Sequence, residues 1–398
     1  MDSKNKPITT LSFTPFHKKT SEICVTNEWV RWAGYTVVNR FTTTELEYTA
    51  IRNTCGVFDI TPMYKYKIIG KDARQYLDRL VTRNIDKLQP NNVLYIFWCN
   101  EQGKVIDDGT LFCISENEYR ICSGERNLVW FQDSAFGFDV KVEDITPDFA
   151  LLAIQGPTSC IILEKMGMKK ISELGPFAMR EYVVDGQTIT ITRTGFTGDL
   201  GYEVWINPKD ALYFWEKLFS IGKLYGIRAA GLAALDLTRI ESGFVVTNAD
   251  FINVEQALRP NRARSPFELN MGWIVDLNKG FFNGKNALLE EKKNGSKKIL
   301  VGLDIEGDKP AVGAVVYNEK KQDIGIVTAA MWSPTLKKNI AYAMLSHPYG
   351  TLIKKGILVE IYHPEELEYR KIWAKCKIVK RQFYNPKRKT KEPTFANN

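Results

Sequence analysis

Histidine is the scarcest chemistry-bearing residue in this chain. Only His17, His347 and His363 occur in 398 residues, and the last two precede proline in loop-like contexts. A histidine triad or a histidine-rich metal site would need most of them, so acid–base work falls to carboxylates. The seven cysteines (24, 55, 99, 113, 122, 160 and 376) form no C-x-x-C pair and no Cys/His ligand spacing. That argues against structural zinc and suits buried thiols in a reducing compartment. No run of about 18 apolar residues occurs, and MDSKNKPITTL has no apolar stretch behind a basic start. The expectation is a cytoplasmic protein without signal peptide or membrane span. Dinucleotide and P-loop glycine fingerprints are missing, as are helix-turn-helix, zinc-finger and RNP-like patterns. A fused flavoprotein and nucleic-acid binding therefore have no support.

The composition is otherwise that of a globular protein, 44% apolar and 25% charged. The length predicts two or three domains. A net charge of +8 comes mostly from scattered lysine, with a cluster at the end in KIVKRQFYNPKRKTK. That cluster attracts an acidic partner or, as the blander alternative, is a solvated and partly disordered tail.

Along the chain, a helix follows the turn at Gly70, with Ala73, Tyr76, Leu77 and Leu80 at helical spacing. Two strand-like runs flank NEQGK in VLYIFWCNEQGKVIDDGTLFCI, the pattern of a hairpin. QTITITRTGFTGDLGYEVWI repeats that plan around a glycine turn. Residues 209–225 form an amphipathic helix with Leu212, Trp215, Leu218 and Phe219 as its stripe, and another helix, GLAALDLTRIESG, starts at 231. The span 285–297 is a short helix and linker. Beyond it KKILVGLDI, AVGAVVYN, DIGIVTAAMW and GILVEIY predict a separate barrel-like β unit.

Three constellations can carry chemistry. The glycines of TGFTGDLGYE join strand to strand, whereas a phosphate cradle needs a helix behind them, so they serve hairpin geometry. Alternation places Tyr202, Val204 and Ile206 on one face, and Glu203 with Trp205 on the other. Glu203 then faces solvent or answers a donor pair such as the N–H and NH2 edge of a pterin or guanine ring. Adjacent Asp107 and Asp108 point to opposite faces, so only one enters a given pocket; the alternative is a solvated turn-end acid. Leu232, Leu235, Asp236 and Arg239 share a helix face. Arg239 is either anchored by Asp236 or presented to an anionic or carbonyl ligand.

The ordered set GVFDITPM, VTRNIDKLQPN, YIFWCNEQGKVIDD, LLAIQGPTS, TGFTGDLGYE, RIESG, SPFELNMGWIVDL, FNGKNAL and IGIVTAAMWSPTLKKNIAYAML resembles the aminomethyltransferase family. That family includes the glycine-cleavage T-protein and folate-dependent demethylases, and the likeness covers nearly the whole chain. It implies an α+β, three-domain cloverleaf. Residues 1–60 and 147–284 would form a discontinuous folate-binding domain, 61–146 a second α+β domain, 285–385 a C-terminal β-barrel and 386–398 a basic tail. It also implies an enzyme: a one-carbon group transferase with tetrahydrofolate as co-substrate and no metal. Asp108 matches the catalytic aspartate. Tyr95, Phe196, Glu203, Arg239, Met63 and Trp273 match the folate site.

Two departures bear on the donor. The family's T-G-Y-T-G tyrosine is Phe196 here, and Leu235 replaces the arginine of A-R-D. AGYTVVNRF and TNADF are similar to the demethylase branch at least as much as to a T-protein. The expected donor is a small methylated compound, with the aminomethylated lipoyl carrier protein of glycine cleavage as the alternative. A non-catalytic folate-binding module is a further alternative. Its K-G-C-Y-x-G-Q-E motif is replaced here by GFFNGKNAL, which favours the enzyme.

Overall fold

The computed structural model describes residues 11–351 and 356–393. The extreme N-terminus, on which the absence of a leader was read, and residues 394–398 of the basic tail lie outside them. Among the described residues, helices accompany three open sheets, of three, six and five strands, and one closed barrel. A six-stranded sheet runs in the order Met179–Val184, Gln187–Thr192, Gly201–Ile206, Ala150–Gln155, Cys55–Asp59, Ile227–Ala229. Every pairing in it is antiparallel except the last. A five-stranded sheet runs Val93–Cys99, Val105–Cys113, Glu118–Ser123, Tyr64–Ile69, Lys141–Asp144. The C-terminal region is a closed six-stranded barrel between Lys298 and Val379. Among the described residues no helix is long and apolar enough to cross a membrane.

Local elements follow the periodicities. Ala73, Tyr76, Leu77 and Leu80 are the buried stripe of helix Ala73–Leu80. Helix Ala211–Gly222 buries Phe214, Trp215 and Leu218; Phe214 takes the place that the pattern assigned to Leu212, which is only half-buried. The glycine turn owes its residues to close packing. A Cβ on Gly195 or Gly201 would fall about 2 Å from the buried Gln155 amide, and one on Gly198 would overlap Ser242. Gly198 also has φ +69°, a conformation costly for residues with a Cβ.

Barrel strand Lys338–Ser346 is buried on both faces. Ile340, Tyr342 and Met344 meet the rest of the protein, whereas Ala341, Ala343 and Leu345 fill the barrel. Glu241, from the RIESG segment, ties helix Thr44–Asn53 to the barrel. Its carboxylate accepts from Arg52 Nε (2.9 Å) and Nη2 (2.6 Å), Tyr48 Oη (2.5 Å) and the Ser333 hydroxyl of the barrel.

The basic tail is not the solvated run that its charge suggested. Arg381 donates to the Gly243 carbonyl (2.9 Å) and the Leu269 carbonyl (2.6 Å). Arg388 forks onto the buried Asp199 carboxylate at 2.5 and 2.8 Å. Tyr384 stacks under the Arg52 guanidinium, 4.3 Å from ring to carbon. A buried carboxylate in the glycine turn needs a partner, and the tail supplies it. Arg388→Ala leaves Asp199 with Tyr384 and with Arg52 at 3.6 Å. The expected cost is about 1–3 kcal/mol of stability, read from urea unfolding. An unchanged midpoint and slope would show that the strap contributes nothing.

Candidate active site

The hairpin Val93–Cys99 and Val105–Cys113 sets the first group. Phe97 lies opposite Asp108 and Trp98 opposite Asp107, and the Tyr95 hydroxyl reaches diagonally across to donate to Asp108 Oδ2 at 2.7 Å. Trp273 lies 6.3 Å from the Tyr95 ring and is largely exposed, with the Arg83 guanidinium 5.5 Å over the Trp273 ring. Asp108 is half-buried and Asp107 fully buried. Neither is the solvated turn-end acid considered from sequence.

Alternation does not send Asp107 away from its neighbour's surroundings. The loop after helix Leu232–Ser242 brings in Thr247, whose hydroxyl lies 2.6 Å from Asp107 Oδ1 and 3.2 Å from Asp108 Oδ1. Asp107 Oδ2 accepts from Asn127 Nδ2 (2.8 Å) and the Glu125 amide (3.3 Å). Burial, then the Asp108 charge, pushes the Asp107 carboxyl above the usual range. Burial also raises Asp108, against the hydrogen bonds from Tyr95 and Thr247. Burial and the Asp108 charge raise Tyr95 well above an ordinary phenol, so it remains a donor.

Arg239 is anchored, as one of its two readings had it, and by more than Asp236. Its Nε donates to Asp236 Oδ1 (2.7 Å), while Nη1 pairs with Asp250 and reaches the Phe244 carbonyl at 3.3 Å. Asp250 is buried, and its Oδ1 has no partner among the described residues. Its charge is felt at Asp108. Sequence reasoning gave Thr247 and Asp250 no role, although both lie within the TNADF stretch that the likeness to the demethylase branch had singled out.

Glu203 sits half-buried on strand Gly201–Ile206, accepting from the Thr194 hydroxyl at 2.6 Å. Burial raises its carboxyl and Thr194 holds it down. Its strand neighbours divide as alternation predicts: Tyr202, Val204 and Ile206 enter one core and Trp205 another, against Phe112 at 5.0 Å. Half-buried Met63 and Leu235 pack on that second core, between the two sheets. Phe196 stacks on Phe244 at 5.1 Å, and Lys389 of the tail lies over Phe244.

Direct contacts join Tyr95, Asp107, Asp108, Thr247 and Trp273 into one cluster, while Glu203 with Thr194, Phe196 with Phe244, and Met63 on the second core make contacts of their own. The half-buried Glu203 can accept from an N–H donor, and the Tyr95 and Trp273 rings beside Asp108 suit a flat heterocycle.

Residues 16–279 match the family model described as the GCVT N-terminal domain, and 298–385 match the glycine cleavage T-protein C-terminal barrel domain. An aminomethyltransferase of Caldanaerobacter subterraneus subsp. tengcongensis is 33% identical over 360 residues, covering 89% of this chain and 91% of the relative. One from Bacillus subtilis is 32% identical over 362 residues, covering 89% and 94%. The crystal structure of the glycine cleavage system aminomethyltransferase T from Bartonella henselae superposes with a TM-score of 0.81 at 22% identity, over 97% of this chain and 100% of that one.

Proposed function

From the premise that the chain belongs to the glycine cleavage T-protein family of aminomethyltransferases, and so is a one-carbon group transferase, we propose that it passes the aminomethyl carbon of a lipoyl carrier protein to tetrahydrofolate. The observation that supports this most is the Asp108 carboxylate. It is half-exposed, hydroxyl donors hold both its oxygens, and it stands beside an aromatic wall. Tetrahydrofolate supplies the nucleophilic nitrogen.

The chain's own residues do the rest. Glu203 takes the N–H edge of the pterin, with Thr194 fixing its carboxylate. Tyr95, Trp273, Phe196 and Met63 wall the ring and exclude water. Tyr95 and Thr247 aim Asp108, which takes up the proton that the attacking nitrogen sheds. Arg239, tied to Asp236 and Asp250, fixes the loop that carries Thr247. No covalent bond to the protein forms.

The relatives' name, aminomethyltransferase, favours the carrier-bound donor. Leu235 and Phe196 keep a second reading, a small methylated amine, sulfonium or ether. Anaerobic incubation with tetrahydrofolate and each donor separates the two. The carrier should give 5,10-methylene-tetrahydrofolate, ammonia and the free lipoyl thiol, the two protons shed by the folate nitrogens ending on the ammonia and the thiol. Release of 5-methyl-tetrahydrofolate from a methylated donor, with no ammonia from the carrier, would replace this reading with the second.

A further inference from the structure

We propose that Asp107 is a positioning residue: it holds the one proton shared by the Asp107–Asp108 pair and, through the Thr247 hydroxyl, keeps Asp108 an ionised acceptor. The inference rests on the reading of Asp108 given above.

The argument begins with one hydrogen. A threonine hydroxyl donates once, yet Thr247 Oγ1 lies within hydrogen-bond reach of a carboxylate oxygen from each aspartate. With both acids ionised, one of these contacts would set a buried anion against an oxygen lone pair, an arrangement burial penalises heavily. One carboxyl must therefore carry a proton for both contacts to be hydrogen bonds.

The surroundings decide which one. Asp107 Oδ2 already accepts from Asn127 Nδ2 and the Glu125 amide, so it behaves as the carbonyl oxygen. Oδ1 is left as the hydroxyl oxygen, and its 2.6 Å separation from Thr247 is that of a short O–H···O bond. Asp108 is the more exposed of the two and receives the Tyr95 hydroxyl on Oδ2. The resulting chain runs Asp107 Oδ1–H to Thr247 Oγ1, then Thr247 O–H to Asp108 Oδ1. Every donor has an acceptor.

The other charged groups facing the pair leave this order in place. Asp250, neutralised in part by Arg239, adds negative charge that raises Asp108. Tyr95 stays a neutral phenol, with Arg381 nearby. Glu125 presents its amide to Asp107, and its own carboxyl is raised by burial. Two adjacent acids in one buried site lose their protons in separate steps, which supports a singly protonated resting pair. With its proton on Asp107, Thr247 has no competing anion, and its hydrogen stays on Asp108.

The test is the acidic limb of kcat/KM against pH, which reports the free enzyme's essential acceptor. Tetrahydrofolate binding is measured in parallel. Thr247→Val removes a hydrogen bond to the ionised form, so the limb should move up by about one pH unit, and Thr247→Ser should return it. Asp107→Asn replaces the O–H donor with an N–H and should leave the limb within about 0.3 unit. A limb unmoved in Thr247→Val overturns the proposal. So does a fall of about a unit or more in Asp107→Asn, the result expected when an ionised neighbour is removed. Asp108→Asn keeps the two failures apart. If that variant turns over like the parent, the reading of Asp108 itself is wrong; if it is inactive while the limb of Thr247→Val stays where the parent's is, only the role of Asp107 falls.

Discussion

Asp108→Asn is expected to lower turnover by about 10²–10⁴-fold while tetrahydrofolate still binds. The amide keeps the shape of the carboxylate and can still accept from Tyr95 or Thr247. It loses the charge and the basicity that receive a proton in the transition state. Because burial raises Asp108, the parent enzyme should lose activity, as pH falls, at a higher pH than an ordinary aspartate would dictate. The variant should show no such limb. Asp107→Asn is expected to cost at least about tenfold less than Asp108→Asn, since it preserves the donor toward Thr247. Steady-state rates for both variants, with folate binding by calorimetry, decide the matter. Equal losses would mean that the two carboxylates have been assigned one residue out of register.

The residues of that prediction show what a sequence can reveal. Tyr95 and Asp108 stand on one hairpin, and its regular pairing makes a diagonal contact across 13 positions foreseeable. Glu203 is legible for the same reason: strand alternation separates it from Tyr202 and Val204, and the structure keeps that separation. Thr247 and Asp250 were not legible, because an irregular loop has no period from which to infer direction. Their placement depends on where Val254 pairs with Val105 and on the anchoring of Arg239.

The barrel repeats the lesson at larger scale. Asp323–Ser333 alternates between buried and less buried positions and stands out as a strand. Lys338–Ser346 does not alternate, because its two faces enter two different cores. Charge misled in the tail. Lysine and arginine density suggests solvent, but Arg388 is held by a single acid, Asp199, that lies 189 positions earlier. A pairing of that span depends on tertiary structure, and composition carries no trace of it.

Glu203→Gln is expected to weaken tetrahydrofolate binding by about 2–5 kcal/mol, roughly 30-fold to several-thousand-fold in affinity, without unfolding the protein. The glutamine carbonyl can still accept from Thr194, so the hairpin keeps its internal bond. What is lost is the negative charge opposite two N–H donors, a pairing stronger than its neutral counterpart and stronger still away from bulk water. The sign of the pH effect follows from burial. Desolvation raises the Glu203 carboxyl, so its ionised form, and with it tight folate binding, should fade as pH drops through a window above that of an ordinary glutamate. In the glutamine variant that pH dependence should vanish while the weaker affinity persists. Calorimetric titrations of both proteins across pH, beside denaturation midpoints to confirm equal folding, read out both effects. Unchanged folate affinity in Glu203→Gln would remove Glu203 from the pterin site, and the half-buried carboxylate would then be serving Thr194 alone.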